Sequence, residues 1–162
     1  MLEFEALTES QVARMSALAT SIVREHFDPL IGKEQNDYML ALFQSEPSIR
    51  NQMASYQYYF VKEQEKDIGF LSMKEEKEYL YLSKFYLCKE KRGQGLAYEM
   101  LDFVIKTAQK LSLKRIRLNV NRHNCAVQAY RKMGFTIVKE EVNDIGHGYV
   151  MDDYVMVYML GI

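Results

Sequence analysis

Tryptophan is missing from this chain, proline and cysteine occur twice each, and histidine three times. Each shortage closes off a class of protein. Cys88 and Cys125 are scattered, with no spacing that makes a disulfide framework, so reduced thiols in a cytoplasmic setting are the expectation. His26, His123 and His147 stand far apart without metal-ligand spacing, and no metal site is expected. No apolar run approaches membrane-spanning length, and the N-terminus carries Glu3 and Glu5 where a secretion signal has basic residues, so no membrane partner is expected. Charge of one sign is also lacking: the net charge is −1 and the pI near 6.3. That balance argues against a nucleic-acid surface, although Lys84, Lys89, Lys91 and Arg92 make a local basic cluster.

What the chain does have is apolar material. Of its 162 residues 48% are hydrophobic, including 12 tyrosines and 8 phenylalanines. With no repeat, low-complexity tract or linker, this predicts a single domain over residues 1–162, able to bury a core without disulfides or metal. Leu2 to Leu7 reads as a strand, and Thr8 to His26 as a helix whose apolar face includes Val12, Met15, Leu18, Ala19, Ile22 and Val23, with Thr8 or Ser10 as cap. Asp28-Pro29-Leu30-Ile31-Gly32 is expected to break it, Asn36 to Gln44 to resume as a second helix, and a short helix to follow Pro47. Tyr58 to Lys62 and Ile68 to Met73 read as a hairpin joined by the charged stretch Glu63 to Asp67. Tyr79 to Leu87 is strand-like, rich in aromatic and branched side chains. Thr136 to Val142 and the nearly all-apolar Val150 to Leu160 close the chain as strands, the last an interior one.

The most informative stretch is Arg92-Gly93-Gln94-Gly95-Leu96-Ala97. It joins the strand ending at Leu87 to a helix over Leu96 to Leu111, where Leu96, Met100, Leu101, Val104, Ala108 and Leu111 recur on one face. Unpaired N–H groups and the summed peptide dipoles at a helix N-terminus favour an anion, phosphate above all. Gly93 and Gly95 remove side chains from its approach, and Arg92 adds a guanidinium. A P-loop would need Lys-Ser or Lys-Thr after Gly95, where Leu96-Ala97 stands. A dinucleotide fingerprint would need a small residue at Tyr98 and an acidic residue near Lys114. Both readings fail.

Beyond that helix, Arg115 to Val120 alternates as a strand and leads through Asn121-Arg122-His123-Asn124 into a short helix, with Asn124 placed to cap it and Gly134 to end it. Tyr130 lies in its last turns. Strand, Arg-x-x-Gly-x-Ala, helix, strand, Asn-x5-Tyr-x-Lys-x-Gly-Phe is a spacing that resembles the GCN5-related N-acetyltransferase (GNAT) family, which moves an acetyl group from acetyl-coenzyme A to an amine. The motifs run from Glu78 to Val138, and the order of elements agrees along the chain. The resemblance implies an α/β, acyl-CoA N-acyltransferase fold: a mixed, mostly antiparallel sheet of roughly six to seven strands flanked by about four helices. It implies acetyl-CoA as cosubstrate, held at Arg92, Gly93, Gln94, Gly95, Leu96 and Ala97. The backbone of Phe85, Tyr86 and Leu87, where the fourth strand bulges away from the fifth, receives the pantetheine arm and polarises the carbonyl. Asn119 and Asn124 contact the cofactor, and Tyr130 is the general acid for the leaving thiolate.

An amine near pKa 10 is protonated at neutral pH, so attack on a thioester also needs a base. Many relatives carry a glutamate two residues before the position of Phe85; here Ser83 stands there, which favours a non-catalytic acyl-CoA-binding sensor or interaction module as the alternative. Glu25, His26, Tyr81, His147 and Asp153 are the other candidate bases. Cys125, inside the capped helix, reads as a small buried side chain. The acceptor segments, Arg24 to Tyr59 and Val142 to Asp153, offer Glu25, Asp28, Asp37, Tyr56, Tyr58, Asp144, Asp152 and Asp153. These suit a small amine or polyamine first and a peptide N-terminus or lysine next. A second copy of the chain is a candidate partner through the tyrosine-rich last strand.

Overall fold

The computed structural model describes residues 1–161. Among the described residues seven strands form one sheet in the order β1-β2-β3-β4-β5-β7-β6, with five α-helices. All pairings given by register are antiparallel except β4 with β5. The chain divides into two compact units, residues 1–74 with 84–101, and residues 75–83 with 102–162. Among the described residues no helix is long and apolar enough to cross a membrane.

In the first unit, β1 (Glu3–Ala6) pairs with β2 (Gln57–Glu63), and β2 with β3 (Lys66–Glu75). The hairpin link is shorter than the charge pattern predicts. Only Gln64 and Glu65 lie outside the strands, both at positive φ (50° and 68°), as a two-residue type I′ turn requires. α1 (Val12–Ile31) buries Val12, Met15, Ala19, Ile22, Val23 and Phe27, and Thr8 precedes it with its N–H donated to Gln11 Oε1 at 3.0 Å. The expected break at Asp28 to Gly32 does not occur until its end. Pro29 sits in the last turn, so it removes a single late helical bond, and Gly32 N–H still reaches Asp28 O at 3.0 Å. Gly32, at φ 87°, then stops α1 and α2 (Lys33–Phe43) begins. α3 (Glu46–Gln52) is capped by Ser45 Oγ, with Pro47 in its first turn, where no helical N–H is missed. Ile49, Tyr58, Phe60 and Phe70 complete a core with the α1 face.

In the second unit, β5 (Arg115–Asn121) pairs with β7 (Tyr149–Met159), and β7 with β6 (Thr136–Gly146). β7 is thus interior in strand order, with Val155 and Met156 wholly buried. β6 runs four residues past the expected end at Val142, because its ladder to β7 continues to Gly146 opposite Tyr149. α5 (Ala126–Met133) ends at Gly134, which is left-handed at φ 110°.

β4 (Leu80–Leu87) is shared. Leu80 and Tyr81 pair with Ile116 and Arg117 of β5, whereas Lys84 to Leu87 belong to the first unit with β3. Gly69 of β3 makes that second association close: a Cβ there would lie 2.3 Å from Tyr86 O and 3.2 Å from Leu87 Cδ2. Gly69→Ala is therefore expected to lower unfolding free energy by about 1–3 kcal/mol, the range of overpacked sites, with the loss read from urea denaturation midpoints.

Candidate functional site

The turn after β4 is built by local rules. Cys88 N–H donates to Ile68 O at 2.8 Å and ends the strand, and a short 3-10 turn over Lys89–Lys91 follows. Gly93 and Gly95 then adopt φ of 77° and 80°, a region other residues enter at a penalty, and a Cβ at either would meet nothing within 4 Å. Their requirement is conformational, and the space beside them is open. Gln94 Nε2 donates back to Glu90 O at 3.0 Å, and Arg92 Nε donates to Leu87 O at 3.2 Å, which holds the guanidinium against the end of β4. Arg92 to Gly95 are exposed, and Leu96, buried, starts α4 (Leu96–Lys110). The first unit thus joins Phe85, Tyr86 and Leu87 to Arg92 through Ala97. The side chain of Tyr86 packs on Phe70 at 5.3 Å and Phe27 at 6.2 Å, and Leu87 is buried, so both offer their backbone rather than their side chains.

The basic cluster expected beside this turn does not form as one. Strand alternation turns Lys84 inward, where it is 7% exposed. Its Nζ donates to Gln52 Oε1 at 2.7 Å and lies 5.3 Å from the Tyr58 ring centre, while Tyr58 Oη donates to the same Gln52 oxygen at 2.9 Å. Burial lowers the Lys84 pKa to about 8 and pushes the Tyr58 phenol upward. Lys91 pairs with Glu63 at 2.7 Å.

The second unit carries the other expected residues. Asn124 is buried, and its Oδ1 accepts from Ala126 N–H at 2.9 Å, the capping bond expected of it. Cys125 beside it is exposed, contrary to expectation, because the turn that lets Asn124 cap inward faces its neighbour outward. Tyr130 is half-buried, its ring 5.6 Å from Phe135, which in turn packs on Tyr158 at 5.4 Å. Asn119 is a hub: Nδ2 donates to Glu141 Oε1 at 2.9 Å, its amide also bonds the Asp153 carboxylate, and Oδ1 accepts from Tyr81 Oη at 3.4 Å. Glu141 is further paired with Arg117 at 3.1 Å and Lys139 at 2.9 Å. The Asn119 bond, then Lys139, holds its carboxyl below the usual range. Asp153 moves the other way. At 3% exposure, burial pushes its carboxyl above the usual range, and Glu141 and Asp152 add to the rise.

Several groups that looked available for a cationic acceptor are engaged. Arg24 lies 2.6 Å from Asp37 and 3.7 Å from Asp28, Lys33 pairs with Asp37, Arg122 with Asp152, and Glu25 accepts from Lys89 N–H at 2.7 Å. His147 is exposed at the tip of the β6–β7 hairpin. Nothing local in the sequence marked Glu141 or the Asn119 hub, since both arise from the register of β5, β7 and β6.

Fold and motif define an acetyltransferase-type α/β domain, and comparison with known proteins places it further. The family model described as "Acetyltransferase (GNAT) domain" matches residues 28–151. The chain belongs to that family. A segment of 83 residues is 31% identical to GCN5-related N-acetyltransferase 6, chloroplastic, of Arabidopsis thaliana, covering 49% of this chain and 29% of that relative. The chain therefore spans less than a third of that relative's length. The fold is similar to that of the PaiA N-acetyltransferase of Thermoplasma acidophilum, solved in complex with coenzyme A: TM-score 0.81 at 17% identity, over 98% of this chain and 99% of that one. It is also similar to the ribosomal-protein-S18-alanine N-acetyltransferase of Escherichia coli, TM-score 0.70 at 18% identity, over 100% and 96%.

Lys84 gives a pH signature. Its folded pKa, about 8, lies below the ordinary 10.5. Below pH 8 both states are protonated and the folded state bears the full penalty; between 8 and 10.5 the unfolded chain binds the extra proton, so stability must rise with pH. The rise is on the order of 3 kcal/mol at 1.36 kcal/mol per unit. Denaturation midpoints between pH 7.5 and 10 should show it, and Lys84→Met should abolish it without loss of stability at pH 7.

Proposed function

We propose that this protein transfers the acetyl group of acetyl-CoA to a primary amine in the cytoplasm, by direct attack within a ternary complex. The observation that carries the reading is the turn at Gly93-Gln94-Gly95. Excursions to positive φ at Gly93 and Gly95 leave open space at the N-terminus of a fifteen-residue helix, and the first-turn N–H groups there suit a pyrophosphate. Arg92 Nε is spent on Leu87 O, so its two Nη groups would meet the phosphates. The backbone of Phe85 to Leu87 would hold the pantetheine arm and polarise the thioester carbonyl. Asn124 caps α5 and would touch the cofactor through the turn that it shapes, with Asn119 on the strand before it. Tyr130 would protonate the leaving thiolate.

Because Asp28, Asp37 and Asp152 are paired with cations of their own, a single ammonium suits the electrostatics better than a polycation. A small monoamine or a peptide N-terminus thus ranks ahead of a polyamine, with a lysine side chain next. The sensor reading, favoured by Ser83, predicts cofactor binding without turnover.

Acetyl-CoA and coenzyme A should raise the thermal midpoint, whereas ATP and NAD at equal concentration should not. Arg92→Ala should reduce the shift. Tyr130→Phe should leave the shift intact and lower kcat by about 10²-fold or more, the scale of general-acid catalysis. Binding without turnover on tyramine, spermidine or a peptide with a free N-terminal alanine would instead establish the sensor.

A further inference from the structure

An ammonium acceptor must lose a proton before its nitrogen can attack, and the proposed acid, Tyr130, cannot also take that proton while it is itself protonated. A proton acceptor is therefore needed elsewhere. Among the described residues Asp153 is the single buried carboxylate. Cross-strand partners share a face of a sheet. The registers Tyr81 with Arg117, Asn119 with Val155, Asn121 with Asp153 and Glu141 with Asp153 set Tyr81, Asn119, Asp153 and Glu141 on one face. Ser83, two residues beyond Tyr81, joins them by alternation. Asp153 is level with Asn121, the last residue of β5, at the strand end from which Asn124 and α5 follow.

We infer that Asp153 is the general base of the reaction, held by Asn119 on the polar face it shares with Tyr81 and Ser83. This rests on the acetyltransfer reading above. The acceptor ammonium gives one proton to the Asp153 carboxylate. Its nitrogen then forms the new bond to the acetyl carbon, the carbon–sulfur bond breaks, and Tyr130 protonates the departing thiolate. Tyr130 is restored by the second nitrogen proton, and Asp153 returns its own to solvent, so each turnover releases one proton.

The surroundings fit a base in place of a structural ion. A structural carboxylate in this cluster looks like Glu141, paired with Arg117 and Lys139 and held acidic. Asp153 has the neutral amide of Asn119 as its bonding partner, with Glu141 of β6 and Asp152 of β7 as like charges beside it. Those two residues are themselves neutralised, Glu141 as above and Asp152 by Arg122. Burial thus raises the proton affinity of the Asp153 carboxyl with no cation bound to hold it ionised, which is the direction a base requires.

The test is the pH dependence of kcat with saturating acetyl-CoA and tyramine, spermidine or the alanyl peptide, for the wild type and Asp153→Asn. The wild-type profile should show an acid limb above the ordinary carboxylate range. Asp153→Asn should lose about 10²–10³-fold in kcat at pH 7, with the deficit shrinking toward the amine pKa near 10, where solution supplies free amine. KM for acetyl-CoA should not move. The variant should also melt higher at neutral pH, since a neutral amide replaces a buried carboxylate, and lose that advantage below about pH 4, where the unfolded carboxyl is protonated too. Unchanged kcat, a deficit equal at every pH, or a wild-type kcat that simply tracks the amine's own ionisation would each overturn the assignment and leave the acetyltransfer reading standing. Acetyl-CoA binding with no turnover on any of the three amines would overturn both.

Discussion

The approach of β3 to the end of β4 at Gly69 is the constraint on which the proposed cofactor turn depends. β4 lies between β3 and β5 in the strand order, paired with β5 at Leu80 and Tyr81 and running close beside β3 at Tyr86 and Leu87. Its last residues can come that close only if β3 presents no side chain to Tyr86 O, and Gly69 presents none. Everything downstream is referred to this contact. Cys88 is tied to Ile68, Arg92 is tied to Leu87, and the two left-handed glycines then aim the start of α4. A residue with a Cβ at position 69 would displace the strand end, and with it the backbone groups of Phe85 to Leu87 and the turn. The geometry of the proposed site would thus be set from a strand that contributes no side chain to it.

Two buried ionisable groups, one in each unit, show how the fold treats charge. Lys84 is held by an amide oxygen shared with Tyr58, and Asp153 by the amide of Asn119. In neither is the first hydrogen-bonding partner an opposite charge, and in both the shift runs toward the neutral form, as desolvation demands. Such groups lower stability relative to apolar replacements. Their retention is understandable where the neutral form has work to do. For Lys84 the shared Gln52 oxygen also ties α3 to β2 and β4, and Gln52 Nε2, donating to Phe43 O at 2.7 Å, fixes α3 to the end of α2. That role is structural, and the altered pKa follows from it.

Much of this was legible in the sequence, for reasons that mark where legibility stops. The Gly93-x-Gly95 turn, the α4 stripe from Leu96 to Ala108, the Asn124 cap and the Gly134 stop are local signals, fixed by backbone chemistry within a few residues, and the structure keeps them, although Leu111, expected in the stripe, lies past the end of α4 and is exposed. Pro29 was misread because a proline in the last turn of a helix sacrifices one bond rather than the helix. Lys84 was misread because a lysine between apolar strand positions looks like part of a basic run until alternation is followed residue by residue. Cys125 was expected inside, yet it faces outward. The Asn119 hub was invisible for a different reason. Its partners Tyr81, Glu141 and Asp153 come from three other strands, and only the register of β4, β5, β7 and β6 assembles them.

Pairing of side chains in the fold also bears on acceptor choice. Acidic side chains along Arg24 to Tyr59 and Val142 to Asp153 invite a polycationic reading when they are counted in the sequence. In the structure Asp28 and Asp37 share Arg24, Asp37 also holds Lys33, and Asp152 holds Arg122. Exposed pairs of this kind add little stability, but they do cancel the field that would draw in several ammonium groups at once. Asp153 differs in kind: it is buried, amide-bound and weakly acidic. With Asp153 as the proposed base, such a site would discriminate by proton affinity at a single nitrogen more than by total charge. An amine that reaches Asp153 with one cationic end, and brings neutral or apolar structure behind it, would leave no second charge unmatched.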